Sequence, residues 1–183
     1  MDTGTGVTLT SKRLTLREFR VADVPDVHVY ASDPEVWRFT DWGPSSPAET
    51  REHVTARAAT GVLGDDSYSW AVTLRGEDRV IGSAELRIDS REHRRADFGY
   101  VLAREVWGRG LATETALLLR ETAFGRLGMH RLSATCHPDN AASARVLEKA
   151  GLHLEGRLRD HMWVRGSWRD SLLYATVASA PVV

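Results

Sequence analysis

The chain has little of several features that mark particular classes of protein. Cys136 is the only cysteine in 183 residues, so no disulfide can form within the chain. No apolar stretch approaches the ~20 residues that a membrane-spanning helix needs, and residues 1–10 lack the charged start and apolar run of a signal peptide. We therefore expect a cytoplasmic protein with no membrane partner.

The chain also lacks a charge excess of either sign. Its formal net charge is −1, whereas a nucleic-acid-binding protein usually carries a basic excess or a basic face. Lysine occurs only at Lys12 and Lys149, and the arginines are mixed with acidic residues along the chain. The basic cluster SREHRR at residues 90–95 is interpreted as a solvated turn, so we expect no nucleic-acid partner.

The patterning predicts one α/β domain over residues 1–183, with an ordered core of about residues 7–178 and a frayed tail. A chain of this length buries roughly 70% of its unfolded surface, so the fold needs no structural metal. Alternation of apolar and polar residues predicts strands over residues 7–19, 67–74, 80–88, 94–102, 131–136, 152–163 and 168–177. They are expected to form a mixed sheet that is mainly antiparallel at its ends.

Capping residues and helix breakers set the predicted helices. One or two short helices are expected over residues 21–39, broken around Asp33-Pro34. A capping box of Ser46 and Glu49 starts the next helix, over residues 46–63. Two later helices are predicted over residues 112–127 and from Asp139 or Asn140 to Gly151.

A strand, a glycine-rich turn and a helix follow one another in REVWGRGLATETA, residues 104–116. Such a junction presents unpaired helical N–H groups to an anion, and Gly110 has no Cβ to keep a phosphate away. A dinucleotide fingerprint needs a third glycine where Thr113 stands, and a P-loop needs Gly-Lys-Ser/Thr, which is absent. Two interpretations remain: a tight strand-to-helix connection, or a site for the pyrophosphate of coenzyme A.

A second motif favours coenzyme A. WGRGLATETA at residues 107–116, followed by HPDNAASARVLEKAGLHLEG at residues 137–156, resembles the GNAT acyltransferase superfamily and, more narrowly, its Rim-type branch. The resemblance covers nearly the whole chain and is strongest from Ala96 to Tyr174. It implies a single-domain GNAT-like fold, in which helices flank a mixed, mostly antiparallel central sheet with a splayed pair of parallel strands at the cofactor site. It also implies an enzyme that uses acetyl-CoA, and no metal, to acylate a primary amine.

The resemblance further implies which residues hold the coenzyme. Backbone N–H groups of the turn wrap the pyrophosphate, and pantetheine pairs with the strand backbone at Val101 and Leu102. Asn140 is a good helix cap and is also implied to bond the pantetheine arm, while Lys149 is either an exposed lysine or a ligand of coenzyme phosphate. The turn residues so assigned are Trp107, Gly108, Arg109, Gly110, Leu111, Ala112 and Thr113.

Two positions depart from the pattern of the superfamily. Trp107 stands where Gln or Arg is frequent, which backbone donors tolerate. Leu147 stands where many GNAT enzymes carry a tyrosine that protonates the departing thiolate. Ser143 lies one turn into the same helix, and by resemblance to Rim-type enzymes it is close to the sulfur, so we expect Ser143 to supply that proton.

The base that accepts the amine proton is left open by the sequence. Asp97 is the leading candidate, and Glu85 lies on the neighbouring predicted strand. The pair Asp160-His161 and the single residue His137 are alternatives, because a histidine changes charge near neutral pH. A direct base is not required if the pKa of the amine is low.

The acceptor is also open. By resemblance, the regions that contain most of the tryptophans border the acceptor pocket, although tryptophan packs in the core more often; these are Trp37, Trp42, Trp70, Trp163 and Trp168. A protein N-terminus and a small amine, such as an antibiotic or an amino acid, are both compatible with the sequence. The alternatives are transfer from succinyl-CoA and a non-catalytic coenzyme A-binding module. The sequence does not decide between a monomer and a homodimer.

Overall fold

The computed structural model describes residues 7–60 and 66–178. Within this part of the chain, eight strands form one sheet in the order β1-β2-β3-β4-β5-β6-β8-β7. All neighbouring strands are antiparallel except β5 and β6, which are parallel. The strands are β1 (Leu9–Thr10), β2 (Leu14–Arg17), β3 (Ser67–Leu74), β4 (Val80–Ser90), β5 (Arg95–Leu102), β6 (Arg131–Cys136), β7 (His153–Val164) and β8 (Ser167–Val177).

Helices cover both faces of this sheet. The described helices are α1 (Val24–Ala31), α2 (Pro34–Trp37), α3 (Pro47–Thr60), α4 (Leu111–Glu121) and α5 (Ala141–Lys149). On one face, α4 and α5 pack over a core that includes Trp70 and Leu119. On the other face, α1 and α3 pack over a smaller core that includes Val27 and Val54.

Local sequence features explain where two of the helices begin. At the start of α3, the Ser46 backbone N–H donates to the Glu49 carboxylate at 2.7 Å, and the Glu49 N–H donates to the Ser46 hydroxyl at 3.2 Å. Asp33 caps α2 by accepting the Glu35 N–H at 2.9 Å. The predicted capping box and helix break are therefore confirmed. Residues 61–63, expected to end α3, and the expected frayed tail beyond residue 178 lie outside the described residues.

Two predicted elements are shorter in the structure. The strand expected over residues 7–19 is interrupted between Thr10 and Leu14, where the Ser11 N–H donates to the Leu14 carbonyl at 3.0 Å and closes a turn. The helix expected over residues 112–127 keeps α geometry only to Glu121, and a π-helical turn follows. The Thr122 hydroxyl donates to the Leu118 carbonyl at 2.8 Å at this transition, a competition with the backbone that bends helices.

The parallel strands separate part-way along their length, as expected. β5 and β6 pair only from Arg95–Arg131 to Asp97–Ser133. Beyond this point β5 stays on β4 as far as Leu102, while β6 stays on β8 as far as Cys136. An open gap is therefore left between the second halves of the two strands.

A buried ion pair fastens β2 to the start of α1. Arg17 donates from Nη1 and Nη2 to the two carboxylate oxygens of Asp23, at 2.8 and 2.9 Å. The two residues are only 8% and 5% exposed. Asp23 also accepts the backbone N–H of Arg20 at 2.8 Å, so its carboxylate is satisfied from two sides.

We expect Asp23→Ala to lower the free energy of unfolding by about 3–5 kcal/mol, because it leaves the buried Arg17 charge without its partner. The control is Asp78→Ala, which removes the exposed partner of Arg20 at 3.3 Å and should cost less than about 1 kcal/mol. Urea unfolding measures both changes. Similar losses in the two variants would contradict a special role for the buried pair.

Candidate active site

A cleft with a volume of about 1460 Å³ opens where β5 and β6 separate. Besides these two strands, β4, α3, α5 and the β7–β8 hairpin contribute to its walls. The following candidates from the sequence line it: Glu85, Asp97, Val101, Leu102, Trp107, Gly108, Gly110, Leu111, Ala112, Thr113, Asn140, Ser143 and Lys149. Arg109 is in the same turn but is not part of the lining. The structure thus brings the predicted coenzyme-binding residues and the predicted catalytic residues to one cleft.

The turn before α4 adopts left-handed backbone at both glycines. Gly108 has φ of 74° and Gly110 has φ of 75°, conformations that side chains with a Cβ rarely adopt. Gly110 is the N-cap of α4, and no described side chain caps this helix end. The first N–H groups of α4 are therefore free of a side-chain acceptor, as an anion site requires. This local geometry fits a pyrophosphate.

Arg13, which precedes β2, braces this turn from the side. Its Nη1 donates to the Arg109 carbonyl at 2.9 Å, and its Nε donates to the Glu114 carboxylate at 2.7 Å. The Ser11 hydroxyl donates to the same carboxylate at 2.5 Å. Burial raises the pKa of Glu114, but the bonds from Ser11 and Arg13 outweigh it and hold that pKa below its ordinary value. Sequence reasoning missed Arg13, which is 101 residues away from Glu114.

Trp107 joins the turn to the end of β5. Its indole N–H donates to the Leu102 carbonyl at 2.8 Å. Trp107 therefore has a structural role at a position where the superfamily often carries Gln or Arg. The pairing of pantetheine with the Leu102 backbone stays a prediction, and the Trp107 bond already occupies one acceptor position of that carbonyl.

The N-terminal turn of α5 forms the opposite wall. Asn140 caps the helix by accepting the Ser143 N–H at 3.0 Å, and it also lines the cleft. The Ser143 hydroxyl lies 3.1 Å from the hydroxyl of Tyr100 on β5. Leu147 is 1% exposed and packs in the core. Sequence reasoning placed Tyr100 on the correct strand but missed its contact with α5.

Both candidate carboxylates are ion-paired. Asp97 is the last residue of β5 that pairs with β6, and Arg87 on β4 contacts its carboxylate. Burial raises the pKa of Asp97, although Arg87 opposes the increase. Glu85, two residues from Arg87, pairs with Arg57 of α3. Asp97 thus lies at the separation point and Glu85 lies beside it.

Asp160 and His161, proposed as a pair, differ in their position relative to the cleft. His161 lines the cleft, where its Nδ1 lies 3.0 Å from the Ser171 hydroxyl. Asp160 is not part of the lining, and its N–H donates to Asp170 at 2.9 Å. Register shifts in β7 between Leu158 and Met162 accompany this arrangement. The two residues therefore do not act on the cleft as a pair.

His137 is poorly placed to accept a proton. Its Nδ1 accepts the Asp139 N–H at 3.0 Å, so in the neutral ring the proton is on Nε2 and the lone pair of Nδ1 is occupied. His53 of α3 also lines the cleft, and sequence reasoning missed it. Burial, followed by the charge of Arg57, lowers the pKa of His53, which favours its neutral ring.

The tryptophans have different environments. Trp42 lines the cleft. Trp70 is fully buried in the core. Trp163 and Trp168 are exposed, contact each other edge to face at 5.3 Å and do not line the cleft. Trp37 does not line it either, and the guanidinium of Arg165 lies 5.1 Å from its ring. Of the five, Trp42 alone is placed to contact an acceptor in this cleft.

Comparisons with known proteins agree with the geometry. Residues 13–153 match the family model of the acetyltransferase (GNAT) domain. The chain is 31% identical over 167 residues to the uncharacterized N-acetyltransferase YnaD of Bacillus subtilis (strain 168), covering 91% of this chain and 95% of the relative. A solved acetyltransferase (GNAT family) from Bacillus anthracis superposes with a TM-score of 0.83 at 28% identity, covering 93% of this chain and 98% of that one.

RimL, a ribosomal L7/L12 α-N-protein acetyltransferase solved in complex with coenzyme A, has a TM-score of 0.81 at 22% identity and covers 96% of this chain and 100% of its own. At this identity the likeness concerns the fold alone. The family model and the relative together define the chain as an acetyltransferase. The chain belongs to the GNAT acetyltransferase family. The predicted superfamily, fold and enzyme class are thereby confirmed.

Two further findings concern metal binding and membrane-spanning helices. Among the described residues, no group of three or more His, Cys, Asp or Glu side chains is placed to hold a metal ion. In the same part of the chain, no helix has the length and apolar character needed to cross a membrane.

We expect Arg13→Gln to weaken acetyl-CoA binding about tenfold, because the turn loses its brace. Binding of acetyl-pantetheine, which has no pyrophosphate, should not change. Arg131→Gln is the matched control, since it breaks the Arg131–Glu155 pair outside the cleft. Competition calorimetry measures all affinities, and an equal loss for both ligands would contradict a pyrophosphate site at this turn.

Proposed function

We propose that this protein transfers the acetyl group of acetyl-CoA to a primary amine. One observation carries the proposal: β5 and β6 separate at Asp97, and the same cleft extends to the left-handed glycines that start α4. An extended thioester arm fits the gap between the strands, and a pyrophosphate fits the helix end. Bound acetyl-CoA supplies the activated acyl group.

The coenzyme is assigned to three parts of the cleft. Residues 107–113 hold the pyrophosphate through backbone N–H groups, and Val101 and Leu102 pair with the pantetheine arm. The side chain of Asn140 contacts the same arm while it caps α5, since both roles are compatible with its position in the lining. Arg145 and Lys149 lie one helical turn apart on the face of α5 that lines the cleft, and they provide positive charge for coenzyme phosphates.

Acyl transfer also needs a neutral amine and a donor for the oxyanion. A backbone N–H of β5 is the assigned oxyanion donor. Asp97 is the assigned base, because burial raises its pKa and so brings it closer to a working pH near neutrality. Glu85 is the alternative. Ser143 is assigned to the protonation of the thiolate, from the first turn of α5.

The acyl group is assigned as acetyl rather than succinyl. A succinyl group would carry a free carboxylate that needs a cation in the acyl pocket. Arg57 pairs with Glu85 and Arg87 pairs with Asp97, and Arg169, which also lines the cleft, donates to the carbonyls of Phe39 and Thr40. The acceptor amine is a protein N-terminus or a small molecule, and the cleft has room for either beside the coenzyme.

An acceptor screen tests this function directly. Acetyl-CoA is mixed with the protein and a panel of peptide N-termini, amino acids, polyamines and aminoglycosides, and the release of free thiol is measured. We expect release that depends on both the protein and one class of amine. Binding of acetyl-CoA with no release for any amine would favour a non-catalytic coenzyme-binding module. Faster release from succinyl-CoA would overturn the acetyl assignment.

We expect Asp97→Asn to reduce the rate of acetyl transfer about 10²–10⁴-fold near neutral pH, because it removes the proton acceptor. High pH should restore part of the rate, since an alkyl amine with a pKa of about 10.4 then deprotonates by itself. The wild-type rate should fall as the pH drops through the raised pKa of Asp97, where the carboxylate becomes protonated.

Asp89→Asn is the control for this prediction. Asp89 lines the same cleft and lies 3.6 Å from the same partner, Arg87. It should leave the rate near neutral pH within about threefold of wild type, and because the charge of Asp89 helps to raise the pKa of Asp97, it should move the acid side of the pH–rate profile only to lower pH. A uniform loss at every pH in Asp97→Asn would assign Asp97 to positioning, and Glu85→Gln would then be the test of the base.

A further inference from the structure

Tyr100 and Ser143 approach each other from opposite walls of the cleft. Tyr100 is on β5, three residues beyond the point where β5 and β6 separate, and Ser143 is in the first turn of α5. Their hydroxyl oxygens are 3.1 Å apart, and both residues line the cleft. This pair of hydroxyls connects the strand beside the gap to the helix that faces it.

A serine alone is a poor proton source for a departing thiolate. A thiol has an ordinary pKa of about 8.5, and an aliphatic hydroxyl is a far weaker acid, so a lone serine would be left as an unstable alkoxide. A phenol is a much closer match. Burial raises the pKa of Tyr100 to about 12, so Tyr100 keeps its proton at neutral pH.

The surrounding residues offer few other donors. Leu147 has no hydroxyl and is buried in the core. Cys136 at the end of β6 lines the same cleft, and burial raises the pKa of its thiol to about 11. However, the described contact of the Ser143 hydroxyl is with Tyr100. Tyr100 is therefore the group that can restore a proton to Ser143 as soon as Ser143 donates one.

We propose that Tyr100 supplies, through Ser143, the proton that the departing thiolate takes. As the new N–C bond forms and the C–S bond breaks, sulfur keeps the electron pair of the C–S bond. The Ser143 hydroxyl proton moves to sulfur, the Tyr100 proton moves to Ser143, and the tyrosinate recovers a proton from water. The amine loses one proton to the base, so a thioester and an amine become an amide and a thiol.

Because this step belongs to the acetyl transfer proposed above, it rests on that function, and the first measurement is wild-type turnover. Tyr100→Phe keeps the ring and removes the hydroxyl. We expect it to lower kcat about 10²–10⁴-fold while the KM for acetyl-CoA changes by less than about threefold. The matched control is Tyr174→Phe. Tyr174 is buried and does not line the cleft, and its hydroxyl lies 3.5 Å from the Glu148 carboxylate. Its kcat should be unchanged.

A double variant tests whether the two hydroxyls act in series. If Ser143 and Tyr100 form one relay, Tyr100→Phe combined with Ser143→Ala should lower kcat no further than the more damaging single change. Independent, multiplying losses would overturn the relay. Cys136→Ala should leave kcat unchanged. If Cys136→Ala lowered kcat while Tyr100→Phe remained fully active, Cys136 rather than Tyr100 would be the proton donor.

A binding measurement checks the proposal without turnover. In the coenzyme A complex, ultraviolet absorbance of the thiolate gives the pKa of the bound thiol. A donor chain lowers this pKa because it stabilises the thiolate, so the value should rise in Tyr100→Phe and stay constant in Tyr174→Phe. An unchanged value in Tyr100→Phe would overturn the proposal. A wild-type enzyme without turnover, but with the expected titration, would instead overturn the proposed function alone.

Discussion

The separation of β5 from β6 is the constraint on which the rest of the site depends. Backbone N–H and C=O groups inside a sheet are normally paired, and an unpaired buried group is costly. Here two parallel strands pair over three residues and then leave their facing edges open. The antiparallel ladders β4–β5 and β6–β8 hold both strands from outside, up to Leu102 and Cys136. The sheet therefore stays intact while the facing edges in its middle stay open, which is where we propose that the pantetheine arm pairs.

The alternation of side chains along β5 places the proposed base and the proposed proton donor on opposite faces of the sheet. Successive residues of a strand point to opposite faces, so Asp97 and Tyr100, three positions apart, lie on different faces of the sheet. Asp97 and its neighbour Glu85 are on the side of α3, where Arg57 pairs with Glu85. Tyr100 is on the side of α5, where it contacts Ser143. In the proposed mechanism, the amine is deprotonated on one face of the gap and the thiolate is protonated on the other.

Local chemistry explains what could be predicted from the sequence. The left-handed glycines of the turn, the Asn140 cap and the Ser46–Glu49 capping box each depend on residues within a few positions of one another. The contacts that were missed join distant segments. Arg13 and Glu114 are 101 residues apart, and Tyr100 and Ser143 are 43 apart. Periodicity places such residues on elements, but only the packing of those elements shows which side chains meet.

The ion pairs at the separation point also bear on the choice of base. A carboxylate that accepts a proton must give up the stabilisation from its arginine, and that stabilisation is small where the cation is solvated. The side chain of Arg87 beside Asp97 is 64% exposed, whereas that of Arg57 beside Glu85 is 30% exposed and extends from α3. Arg87 can thus exchange the carboxylate for water more readily than Arg57 can. Together with the burial that raises the pKa of Asp97, this difference supports the proposed assignment of Asp97, rather than Glu85, as the base.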